Sequence, residues 1–165
     1  IKVRTVVFSA YVFQDAALAE LEAVIRAAGI TIVWMREGDV IGDDTFTLTC
    51  LHPTAEYRAK DKNAASLALA YHSNTFDMLF TGDMDADAVA DMDIQQDYDC
   101  IKLPHHGSKY SYVEGGYAHA DYGLISCGYN NRYGHPHTEV LQGLAQEGTQ
   151  ILRTDEMGAV IFRSR

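Results

Sequence analysis

The sequence predicts an α/β fold, layered around a mixed β-sheet. Short apolar runs of strand length, separated by Gly, Asp and Asn, dominate the first half. After Asp83, strand-like runs alternate with amphipathic helical stretches. Several strands followed by βα units is the element order of a mixed sheet with helices packed on it. No repeat, low-complexity tract or linker interrupts the 165 residues, so the chain reads as a single domain over 1–165.

Lys2 to Ser9 is β-branched and reads as a strand. Asp15 to Ala28 is an amphipathic helix with Leu18, Leu21 and Ile25 on one face, Asp15 as N-cap and Gly29 as its stop. Ile30 to Met35 is a strand. Gly38-Asp39 and Gly42-Asp43-Asp44 are turns flanking Val40-Ile41, and Phe46 to Leu51 is a further strand. The polar stretch His52 to Asn63 predicts a surface loop. Ala64 to Tyr71 and Phe76 to Phe80 predict two strands joined through Ser73-Asn74. Beyond Asp83, Ala86 to Gln95 predicts a helix, and Asp99 to Leu103 and Tyr122 to Cys127 predict strands. Thr138 to Glu147 predicts a helix capped by Thr138 and stopped by Gly148; Ile151 to Arg153 and Ala159 to Phe162 predict closing strands.

Composition narrows the function. The apolar fraction is 47% and the charged fraction 22%, values of an ordinary globular chain. No apolar run approaches the roughly 18 residues of a membrane span. Ile1 is not a natural start, so the chain is expected to be an excised or processed piece of a longer protein, and the lack of a visible signal peptide means little. A net charge of −10 argues against a passive nucleic-acid clamp. It leaves a phosphodiesterase open, because bound cations invert the local field. Cys50, Cys100 and Cys127 have no paired spacing and are expected as reduced thiols in apolar runs.

Chemistry-bearing residues follow three successive strands: Asp83 after Phe80, His105-His106 after Leu103, and Asn130, His135 and His137 after Cys127. Ligands in open α/β sheets gather beyond the carboxyl ends of strands, so these clusters predict one cleft. Asp83 is either a turn or helix-cap residue, or a carboxylate bridging two metal ions. A double His between Pro and Gly-Ser suits metal ligation, with Ser108 available as a hydrogen-bond donor. The stretch from Ser126 to His137 either is a hydrogen-bonded loop or binds an anionic substrate through Asn131, Tyr133 and His137, with His135 supplying acid–base help. Asp85 and Asp87 are expected to favour a helix N-terminus. His52, His72 and His119 are expected to be incidental surface residues.

Phe80-Thr81-Gly82-Asp83 resembles the TGD motif of metallo-β-lactamase-fold hydrolases, and Lys102-Leu103-Pro104-His105-His106-Gly107-Ser108 resembles their K-x-PHHGS motif. Together with Ser126-x-Gly128, Asn131-x-Tyr133-Gly134-His135-Pro136-His137 and Arg153-Thr154-Asp155-x-x-Gly158-Ala159, the pattern is similar to the C-terminal domain of ComEC-type DNA-uptake (competence) proteins. The resemblance runs from about Asn63 to Phe162 and more weakly from Ile1. It implies an αββα sandwich, mainly its second half, and a dinuclear site for two divalent ions, Zn²⁺ or Mn²⁺ and in principle Fe²⁺. Asp83 would bridge the metals; His105 is favoured as the further ligand, with His106 behind it, and the choice between the two stays open. The implied reaction is phosphodiester cleavage on DNA. A hydrolase of small esters, lactones or phosphocholine and a non-catalytic binding or structural module are the alternatives. The family's main metal motif, HxHxDH, is absent from 1–165. Two ligands from one half of a site cannot hold two metals tightly, so the chain alone is expected to be metal-poor and weakly active. It is also expected to associate, with a second copy or with the missing N-terminal half. The full-length parent would be an integral membrane protein of bacteria.

Overall fold

A computed structural model describes residues 2–11, 15–92, 94, 96–115 and 120–163. The chain opens with a βαβ unit. Strand β1 (Thr5–Ser9), helix α1 (Ala16–Ala27) and strand β2 (Thr31–Met35) bring the two strands together in parallel, Thr5 opposite Thr31. Asp15 accepts from the Ala17 amide and so caps α1, as its position predicts. Of the expected apolar face, Ile25 is buried, whereas Leu21 is exposed.

The main sheet has seven strands in sequential order. They are β3 (Val40–Gly42), β4 (Phe46–His52), β5 (Ala68–Ser73), β6 (Asp77–Phe80), β7 (Tyr98–Lys102), β8 (Ala120–Ile125) and β9 (Gln150–Arg153). Pairing is antiparallel from β3 to β6 and parallel from β6 to β9. Connections in the parallel half carry helix α2 (Ala86–Asp91) and helix α3 (Thr138–Gln146). Leu79, Ile101 and Ile125 from three adjacent parallel strands pack with Val89 of α2 and with Val140 and Leu144 of α3 in one buried cluster. Each such aliphatic side chain contributes about 1.5–3 kcal/mol by leaving water. Among the described residues, no helix is long and apolar enough to cross a membrane.

Several elements differ from expectation for identifiable reasons. Residues 64–67 are not strand: Ala64 and Ala65 turn inward to pack with Ala59, and the Ala64 amide donates to Asp61. His52 is no surface loop residue. It ends β4, is fully buried, and lies edge-on to Tyr57 with ring centroids 4.6 Å apart. His72 is half-buried, 3.2 Å from Asp77. His119 lies outside the described residues, as do Asp93 and Gln95 of the expected 86–95 helix; α2 ends at Asp91, with Met92 already extended. His137 rather than Thr138 occupies the cap position of α3. The expected strand 159–162 is absent, because a short helix α4 (Thr154–Met157) ends at Gly158 with φ +72°. Phe162 instead stacks its ring near Phe76 and Tyr122, at 4.9 and 5.8 Å.

Candidate functional site

Parallel β6, β7 and β8 deliver their following loops to one edge of the sheet. Asp83 follows β6 by way of Gly82, whose φ is +57°. A Cβ on Gly82 would sit 2.8 Å from the Ser66 Cβ, so glycine lets the turn lie against residue 66. Ser66 uses that closeness: its Oγ accepts from the Asp83 amide at 3.1 Å. The Gly82 carbonyl in turn accepts from the His105 amide at 3.1 Å, which stitches the first loop to the second. Thr81, fully buried, donates its hydroxyl to the Lys102 carbonyl at 2.5 Å.

The second loop is strained where its chemistry lies. His105 and His106 both adopt left-handed backbone, with φ of 48° and 57°. Non-glycine residues avoid this region, and such strain persists where surrounding structure enforces it. The enforcement is visible at Gly107, where a Cβ would approach the Pro136 Cβ to 2.8 Å, while the Gly107 carbonyl accepts from the His137 amide at 3.0 Å. The double turn aims the two imidazoles differently. His106 Nδ1 meets the Ser126 carbonyl at 2.6 Å, and its Nε2 stands 3.4 Å from Asp83 Oδ1. A carbonyl only accepts, so Nδ1 carries the proton, and in neutral His106 the Nε2 lone pair faces a carboxylate oxygen. A proton or a cation between them relieves that repulsion. His105 instead turns edge-on to His135, with centroids 5.6 Å apart.

The third loop supplies the opposite wall. Asn131 braces it: Nδ2 donates to the His135 carbonyl at 2.6 Å and Oδ1 accepts from the His135 amide at 3.0 Å. Thr154 exchanges hydrogen bonds with the Cys127 backbone in both directions, at 2.8 and 2.9 Å, and ties the loop to the start of α4. His135 stacks near His106 and Tyr133, with centroids at 6.4 and 5.8 Å. Burial, with His137, His105 and His106 around it, pulls the His135 pKa below its usual value, against the pull of Asp83. Burial likewise lowers the Lys102 pKa, against the pull of Asp83. Between His106, Ser126, Asn131, Tyr133 and His135 lies a recess of about 310 Å³. A larger hollow of about 620 Å³ opens at the start of the same strands, lined by Asp77, Asp97, Asp99 and Asp121. It contains none of the residues of the three loops.

The chain is similar to ComE operon protein 3 of Bacillus subtilis (strain 168). The two are 34% identical over 150 residues, a match covering 86% of this chain and 19% of ComE operon protein 3. The chain thus spans less than a fifth of the length of that relative. No family model matches the chain.

The expected site residues fall into two groups. Asp83, His105, His106, His135 and Tyr133 converge around the recess, with His137 5.1 Å from His135. Ser108 and Asn131, expected to touch substrate, commit their side chains to backbone; Ser108 is buried and its Oγ accepts from the Tyr110 amide at 3.3 Å. Ser66 carried no sequence signal, because it acts through a hydroxyl 17 residues before Asp83; Ser126, part of the Ser126-x-Gly128 motif, acts through its backbone carbonyl, a role its side chain does not announce. Among the described residues, no three His, Cys, Asp or Glu side chains surround a common point suited to a metal ion.

Proposed function

We propose that the chain carries part of the divalent-metal site of a hydrolase that cleaves phosphodiester bonds in DNA, on a metallo-β-lactamase-like sandwich, in competence-related DNA uptake. The observation that carries this reading is the Asp83–His106 pair. Its 3.4 Å separation suits two ligand atoms bound to one tetrahedral ion at about 2.0–2.2 Å each. The Nδ1 hydrogen bond to Ser126 is the kind of outer partner that orients a ligating imidazole. His106, with Asp83, therefore serves as ligand in place of His105, whose ring turns toward His135. Two donors make up only part of a coordination sphere, and the remaining donors come from elsewhere in the assembled protein, from another segment or a second copy.

Divalent ions supply, when bound at such a site, a water acidic enough to ionise near neutral pH and an electrophile for a phosphoryl oxygen. This chain's residues do the rest. Neutral His135 accepts a proton at the recess wall and returns it to the leaving oxygen. His137 accepts the Lys109 amide at Nδ1, at 3.3 Å, which leaves its Nε2–H as a donor to an anionic group. Tyr133 forms the outer wall, while Ser108 and Asn131 shape the loops. The similarity to ComE operon protein 3 supports the DNA-uptake setting.

The test uses the full-length protein with Zn²⁺ or Mn²⁺, presented with single-stranded DNA, a small phosphodiester and a lactone. DNA cleavage that falls at least 100-fold in Asp83→Asn and His106→Ala is expected. Preference for the lactone would instead favour a small-ester hydrolase. Unchanged activity in both variants would refute the assigned site.

A further inference from the structure

The rings beside the recess form a continuous line that hydrolysis by itself does not require. Tyr110 lies 6.4 Å from His137, His137 5.1 Å from His135, and His135 5.8 Å from Tyr133. His135 and Tyr133 are nearly parallel, at 24°. A cation sits at each end: Lys109 Nζ lies 5.5 Å from the centre of the Tyr110 ring, and the Arg132 guanidinium 4.7 Å from that of Tyr133. The outer tyrosines are far from the core, with Tyr110 71% exposed, Tyr133 62% and, on the same loop as Tyr133, Tyr129 80%. In a chain of net charge −10, these two cations are placed on aromatic faces instead of being scattered.

We propose that this ring line, with exposed Tyr129 four residues before Tyr133 on the same loop, is a stacking platform for the bases of a single-stranded nucleic acid whose backbone passes the recess. The inference deepens the proposed phosphodiesterase reading and rests on it. Every base has a π-face, so stacking is tolerant of sequence, and two flanking cations answer the phosphates without a broad basic surface. A duplex hides its base faces and would find nothing to stack on. With most of the affinity carried by rings and only two cations engaged, binding should weaken gently with salt, at a slope of about −1.4 in log K against log salt.

The experiment is fluorescence anisotropy with a short labelled oligothymidylate and an abasic oligonucleotide of equal length and charge. It is carried out in EDTA on the full-length protein. The abasic strand is expected to bind at least tenfold more weakly than oligothymidylate. Tyr110→Ala and Tyr129→Ala should each weaken oligothymidylate about tenfold, and Tyr110→Phe and Tyr129→Phe should restore it. Equal affinity for the two strands, no binding of oligothymidylate, or alanine variants that bind as the parent does would each overturn the platform. The comparison of strands needs no variant, so a misfolded substitution cannot obscure it. Because binding is read without metal or turnover, an inactive hydrolase leaves the platform standing, and an active one with indifferent tyrosines removes the platform alone.

Discussion

The Asp83 amide donates to the Ser66 hydroxyl at 3.1 Å, and the Ser66 carbonyl meets Nδ1 of buried His52 at 2.9 Å. One residue from an irregular segment thus joins the end of β4 to the backbone of Asp83, in the loop that follows β6. Ser66→Ala should cost about 1 kcal/mol in urea denaturation, the scale of one hydrogen bond. If Asp83 is a metal ligand, calorimetry on the full-length protein should also show ion affinity falling about 10- to 100-fold. Affinity equal to that of the parent would separate Ser66 from the site.

Gly107 should tolerate no side chain. Its φ is +80°, and a Cβ would crowd Pro136 at 2.8 Å. Gly107→Ala is expected to lose at least 1–2 kcal/mol from the left-handed backbone, or roughly that much before the clash is counted. The histidine resonances of 105, 106 and 135 should shift together in NMR, since the loops that carry them move apart.

Stability should fall on mild acidification, and His52 is one cause. Burial lowers its pKa below 6.5 in the folded chain. Its Nδ1 donates to the Ser66 carbonyl, so a second proton must go on Nε2, which is buried without a hydrogen-bond partner. The unfolded chain therefore binds the proton first. Stability from this residue is complete above about pH 6.5 and is lost as pH falls toward the folded-state value. Chemical denaturation between pH 8 and 5 should show the decline, and His52→Gln should flatten it.

The thiols should react in a fixed order. Burial raises Cys50 and Cys100 to about 11, whereas Cys127 is half-buried beside the recess. A disulfide reagent should label Cys127 in the native protein and reach Cys50 and Cys100 only on unfolding. Early labelling of Cys100 would contradict the packing of β7.

Association should depend on the α1 surface, where Leu21 and Val24 are 47% and 61% exposed. Sedimentation is expected to find the chain self-associated, and Leu21→Lys with Val24→Lys should shift it toward monomer. A monomeric chain would count against the expected association.

The convergence of Asp83, His105-His106 and His135 was legible because each follows an apolar run, and parallel strands bring such positions to one edge. Hairpin β5–β6 was legible from its turn residues for the same local reason. The hold on Asp83 was not: Ser66 approaches it only because Gly82 takes a positive φ and lacks a side chain. Nor did composition reveal the left-handed backbone at two successive histidines, which lies between the His105–Gly82 and His137–Gly107 backbone hydrogen bonds. His52 misled because a polar residue before a polar stretch reads as surface, while the fold closes Tyr57 over it. Phe162 misled because ring packing across the sheet satisfied an apolar run that pattern alone assigns to a ladder.

Each strand of the main sheet has as spatial neighbours the strands before and after it in the chain. A lengthened or shortened connection therefore disturbs a single pairing and leaves the others in register. The segments after β6, β7 and β8 are hydrogen-bonded to one another through Gly82, His105, Gly107 and His137, so a descendant would acquire a new substrate preference by exchanging them as a set, without renegotiating the strand pairings beneath.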